Sequence, residues 1–149
     1  MKKYWYKTAM LVIALGAFTA CSDDDEPTIP KGPIAPVNGA YVINTGNWNE
    51  NNGTIQWYDR DLKTVSADLF AAANGAGIGD AQDLCVYGTK IYITCSSSAK
   101  IEIVDRKDFK RIKTLNLTNE SGQPIQPRYM TAATGNIYFT AYDGTVSQI

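Results

Sequence analysis

The sequence predicts an all-β chain, about two and a half blades of a β-propeller, and three observations predict it. A unit recurs. Tyr41-Val42-Ile43-Asn44 is followed by Gly53-Thr54-Ile55-Gln56-Trp57-Tyr58-Asp59-Arg60, and Tyr92-Ile93-Thr94-Cys95 by Lys100-Ile101-Glu102-Ile103-Val104-Asp105-Arg106. Tyr138-Phe139-Thr140-Ala141 is followed by Gly144-Thr145-Val146-Ser147-Gln148-Ile149. The period is 49 residues from Gly39 to Gly88, 47 from Gly88 to Gly135 and 46 from Asp59 to Asp105. Repeats of about 40–50 residues made of short strands mark one four-stranded blade each. Third, outside the first 20 residues no stretch of 12 or more has helical periodicity.

Residues 1–20 read as a removable signal. Met1 to Lys7 form a basic start and Thr8 to Ala17 an apolar run too short to span a bilayer. Phe18-Thr19-Ala20-Cys21 resembles a bacterial lipobox, with Phe18 where Leu is usual, so Cys21 is the expected lipidation site. Lipid chains on that cysteine would anchor the protein firmly, at about 0.8 kcal/mol per buried methylene. Ser22-Asp23-Asp24-Asp25-Glu26 is a solvated acidic spacer that also resembles an export signal to the outer face of the outer membrane. Pro27 to Pro36 carries four prolines and reads as an extended tether, so residues 21–38 hold the globular part, 39–149, off the membrane.

Each strand expected from Gly39 onward is short, β-branched or aromatic, and bounded by turn residues. The first blade supplies Ala40–Asn44, Thr54–Tyr58 and Thr64–Leu69. The second supplies Asp83–Tyr87, Lys90–Cys95, Lys100–Asp105 and Lys110–Leu115; the third, Arg128–Ala132, Asn136–Tyr142 and Thr145–Ile149. Gly88-Thr89, Gly135-Asn136 and Asp143-Gly144 are tight-hairpin candidates, because glycine supplies positive φ. Labelled a to d outward, the first blade lacks an a strand and the third stops inside strand c. The chain therefore reads as the front of a larger ring.

Composition narrows the chemistry. Net charge is −1, and removing Lys2, Lys3 and Lys7 with the signal makes it −4, which argues against a nucleic-acid partner. The absence of His removes the commonest general base and metal ligand. No catalytic residue, metal site or cofactor is expected, and an enzyme ranks third among the readings. Cys85 is expected to face Tyr92, with Cys95 on the opposite sheet face, so two thiols are favoured over a disulfide. Asn74-Gly75-Ala76-Gly77-Ile78-Gly79 fails the spacing of a dinucleotide loop and reads as a flexible connection. Asp59 and Asp105 read as turn caps.

The ligand candidates lie in loops. In a propeller the b–c hairpins and d–a loops emerge together around the channel mouth. The first hairpin is long and sets Trp48 among Asn47 and Asn49, a pattern that suits stacking on a polar organic ligand; the alternative is Trp48 folded back as a plug. Gln82, Asp83, Arg128 and Tyr129 start the channel-lining strands, and Tyr142 tips the third hairpin. Arg128 is open to two readings, an anion contact or a pair with Asp83.

The lipobox with its acidic run, Tyr41 to Trp48 with Asn51-Asn52-Gly53, Gly79-Asp80-Ala81-Gln82-Asp83, and Gln126-Pro127-Arg128-Tyr129 together resemble the YncE-like seven-bladed propeller surface lipoproteins. Within them they resemble the vitamin B12 (cobalamin) capture lipoproteins of gut commensals. That resemblance implies a seven-bladed ring on the cell exterior that binds cobalamin or a related corrinoid and passes it to a TonB-dependent outer-membrane transporter. The competing reading is a surface module for a glycan or a protein partner.

Overall fold

The computed structural model describes residues 38–149, so the expected signal, Cys21, acidic run and nearly all of the tether lie outside the described residues. Ten strands form three antiparallel sheets. The first is β1 (Gly39–Asn44), β2 (Thr54–Asp59) and β3 (Thr64–Val65); a short helix α1 (Leu69–Asn74) follows. The second has four strands in sequence order, β4 (Ala81–Tyr87), β5 (Lys90–Cys95), β6 (Lys100–Asp105) and β7 (Arg111–Asn116). The third is β8 (Pro127–Ala133), β9 (Asn136–Ala141) and β10 (Val146–Gln148). These are the expected b–c–d, a–b–c–d and a–b–c sets.

The sheets pack face to face because the central strands β5 and β6 are buried on both sides. In register, Ile91 faces Val104 and Ile93 faces Glu102, and Ile91, Ile93, Cys95 and Val104 join Ile55, Phe70, Ile78 and Phe109 between the first and second sheets. The alternate residues Ile101 and Ile103 meet Phe139 and Met130 of the third sheet. A strand with period 2 can bury both sets only when sheets cover both faces, and each buried Ile contributes about 1.5–3 kcal/mol.

Glu102 falls on the first-sheet side, 1% exposed. Its carboxylate accepts from Lys100 Nζ at 2.8 Å, Arg111 Nε at 3.0 Å and the Thr114 hydroxyl at 2.7 Å. Arg111 also lies over the Phe70 ring, 5.1 Å from its centroid, so the charged cluster is packed as well as paired.

The expected d strand Thr64–Leu69 is cut to Thr64–Val65, and α1 takes the chain across to the second sheet. The cause is local. Asp68 caps the helix, accepting from the Phe70 amide at 3.1 Å and from the Ile55 amide at 3.2 Å, and Gly75 ends it at φ 66°. Asn74 then donates to the Phe109 carbonyl at 3.1 Å and accepts from the Arg111 amide at 2.8 Å, tying the helix to the neighbouring sheet. The connection expected to be flexible is therefore fastened, and Ile78 within it is fully buried, as are Asp80 and Ala81 just after it.

Turn chemistry follows expectation in part. Tyr87 pairs with Lys90 around Gly88-Thr89, so Cys85 faces Tyr92; both described cysteines are free thiols, Cys95 buried and Cys85 half-buried. The third-sheet hairpin turns on Thr134-Gly135, both at positive φ, rather than on Gly135-Asn136. Asp59 accepts from the Asp61 and Leu62 amides and Asp105 from the Lys107 amide, which makes both turn caps.

Candidate functional site

The b–c hairpins and d–a connections meet at one end of the sheets. The Gly53 amide donates to the Gly79 carbonyl at 2.7 Å, and the Tyr142 amide to the Gln126 carbonyl at 3.0 Å. Asp80 is fully buried and accepts from the Ser97 amide (2.5 Å), the Ser98 amide (3.2 Å) and the Ser98 hydroxyl (3.0 Å). Burial alone pushes its carboxyl up, but these bonds together outweigh burial and hold it below the ordinary range. This network fixes the second hairpin, and the Ser98 hydroxyl, its one hydrogen shared between Asp80 and the Asn51 side-chain oxygen at 2.6 Å, ties in the first.

On this face four of the sequence-predicted residues come together. Trp48 and Tyr142 meet edge to face with ring centroids 5.9 Å apart. The Arg128 guanidinium lies 5.1 Å from the Tyr142 centroid and 4.8 Å from that of Tyr129. Trp48, Tyr129 and Tyr142 are 50%, 51% and 47% exposed, so Trp48 is not a buried plug. Arg128 makes no ion pair with Asp83. The Asp83 carboxylate instead accepts from the Met130 amide at 2.8 Å and from the Leu84 amide at 2.9 Å, pinning β8 to β4. Among the described residues the Arg128 guanidinium has no carboxylate partner.

A β-bulge carries Arg128 and Tyr129, and another falls at Gln82. The ladder between β4 and β5 slips between Ala81 and Asp83, at Gln82, and that between β8 and β9 slips between Pro127 and Met130, at Arg128 and Tyr129. A bulge leaves residues unpaired and turns them out of the pleat. The backbone freed there is satisfied by side-chain hydroxyls of the second sheet and of β9. The Ser96 hydroxyl donates to the Pro127 carbonyl at 2.5 Å and the Thr94 hydroxyl to the Arg128 carbonyl at 2.9 Å, while the Tyr129 amide donates to the Thr140 hydroxyl at 3.2 Å. Both Thr94 and Ser96 are fully buried.

The remaining candidates divide. Asn47 is engaged in its own loop, its side-chain amide donating to Glu50 at 2.8 Å and its backbone to Asn52 at 2.8 Å. Asn49 sits beside Trp48 at φ 64°, exposed. Gln82 is half-buried. The bulges and the hydroxyls of Thr94 and Ser96 were missed by sequence reasoning, and the cue was the polar Thr94-Cys95-Ser96 end of an otherwise apolar strand. Chemically, the face offers aromatic planes for stacking beside a guanidinium with free donors.

No protein-family model matches the chain, and no curated protein matches it. Among solved structures the chain is similar to a glutaminyl cyclase of Myxococcus xanthus, with a TM-score of 0.51 and 14% identity over 78% of this chain and 45% of that one. It is also similar to the computationally designed Ika4 protein, with a TM-score of 0.45 and 13% identity over 66% of this chain and 55% of that one. The chain thus spans less than half the length of the cyclase. At such identity the likeness speaks for the fold alone, and that fold is an all-β propeller type.

Proposed function

We propose that this chain belongs to a surface-exposed, lipid-anchored, non-enzymatic capture protein. Its ligand is a small organic molecule, cobalamin or a related corrinoid, which it passes to a TonB-dependent outer-membrane transporter. The observation that carries the reading is the exposed cluster of Trp48, Tyr142, Arg128 and Tyr129 on the hairpin face. A large planar ligand stacks on Trp and Tyr at low entropic cost, and a guanidinium without a carboxylate partner serves its amide or phosphate oxygens. The lipobox and acidic run support the location, and the resemblance of the Tyr41–Trp48 and Gln126–Tyr129 segments supports the ligand.

Calorimetric titration of cobalamin into the full-length protein tests it. Binding that weakens about thirtyfold or more in Trp48→Ala, the scale of a buried aromatic anchor, is the expected result. Absence of binding at micromolar cobalamin rules the ligand out.

A further inference from the structure

A second cleft lies at the opposite end of the sheets. Strand β1 begins there and β2 ends there, so Tyr41 and Trp57, paired in register, stand far along the strands from the hairpin carrying Trp48. With the c–d turn of the second sheet (Arg106, Lys107, Asp108, Phe109) and Leu69, Ala72 and Ala73 of α1, they border an open cleft of about 490 Å³. That volume suits a small organic ligand.

Its floor is aromatic. Tyr41 packs at 4.9 Å from Trp57 and 5.7 Å from Phe109, centroid to centroid. A Cβ on Gly39 would overlap the Trp57 ring, so the glycine lets the indole approach the chain closely. The Trp57 indole N–H is buried without a hydrogen-bond partner.

The rim is unbalanced in charge. Asp108 accepts from the Lys110 amide at 3.0 Å and pairs with Lys110 Nζ at 3.5 Å, so its charge is already answered. Arg106 and Lys107 make no ion pair among the described residues. Arg106 lines the cleft together with Tyr41 and Trp57, and its charge acts against the rise that burial gives the Tyr41 phenol.

We propose that this cleft is a second binding site, for a small organic anion with a planar aromatic body, such as an aryl carboxylate or sulfonate. The ring lies on Tyr41, Trp57 and Phe109, and Arg106 and Lys107 hold the anionic group. The site is independent of the hairpin face, so either proposal stands if the other fails.

The test compares 8-anilinonaphthalene-1-sulfonate with its neutral counterpart N-phenyl-1-naphthylamine, titrated into full-length protein by fluorescence. The sulfonate is expected to bind about tenfold tighter, the scale of two partly exposed charge contacts. Arg106→Gln with Lys107→Gln, both surface changes, is expected to abolish that preference while the neutral dye still binds. Ala72→Phe, which fills the cleft from an exposed helix position, is expected to weaken both dyes. Equal affinity for the two dyes, or sulfonate binding unchanged in both variants, overturns the proposal.

Discussion

Trp48 and Tyr142 touch edge to face although one tips the hairpin of the first sheet and the other the hairpin of the third. The second sheet's own hairpin, Ser96 to Ala99, is held by the buried Asp80 carboxylate, which accepts from the Ser97 and Ser98 amides. The contact therefore depends on all three sheets being in register, and the exposed aromatic surface is a product of the repeat rather than of any one loop.

Removing the hydroxyls behind the Arg128 bulge should loosen it. Ser96→Ala and Thr94→Val each leave a carbonyl, of Pro127 or Arg128, without its donor, which costs about 1–2 kcal/mol. Urea denaturation should show that loss in each variant; unchanged midpoints would mean the hydroxyls do not hold the bulge.

The Glu102 cluster should behave as a buried ion pair with partly wet partners. Glu102→Ala strands Lys100 and Arg111, which are 19% and 37% exposed, so a loss of about 2–3 kcal/mol is expected rather than the larger cost of fully buried charges. Replacing Glu102, Lys100 and Arg111 together by Met should recover most of it in the same denaturation assay.

Asp80 gives stability a defined pH dependence. Its folded pKa is depressed, so its contribution is complete above the unfolded value of about 3.9 and is lost as pH falls through the folded value. Wild type should therefore exceed Asp80→Ala by about 1.5–3 kcal/mol at pH 7, and the gap should narrow steadily below pH 4. A gap that widens in acid would contradict the hydrogen-bond account.

Burial pushes the Cys95 thiol up to about 12, leaving almost no thiolate at neutral pH. Iodoacetamide at pH 8 should leave Cys95 unlabelled until the protein unfolds, as peptide mass spectrometry would show. Cys85, half-buried and raised by burial and then by Asp83, should react slowly in the folded state.

The strands were legible because Tyr41–Asn44, Tyr92–Cys95 and Tyr138–Ala141 repeat at a blade's spacing, and turn aspartates such as Asp59 announce themselves by local chemistry. Helix α1 was not, since six residues cannot display a 3.6 period; its Asp68 cap, alanine run and Gly75 stop were the available cue. Alternation alone does not say what answers the Glu102 charge; Arg111, held over Phe70 of α1, decides it. The site residues were proposed from where loops emerge, which located Trp48, Arg128, Tyr129 and Tyr142 on one face. The sequence could not show that Asp83 serves the Met130 amide instead of Arg128, because a slipped ladder decides that.

The most direct measurement is cobalamin titration into the full-length wild-type protein, Trp48→Ala and Arg128→Gln, each checked for an unchanged circular dichroism spectrum. The account predicts binding in wild type, a loss of about thirtyfold or more with Trp48→Ala and about tenfold with Arg128→Gln. Wild-type affinity retained by both variants would contradict it, as would no heat of binding at micromolar cobalamin.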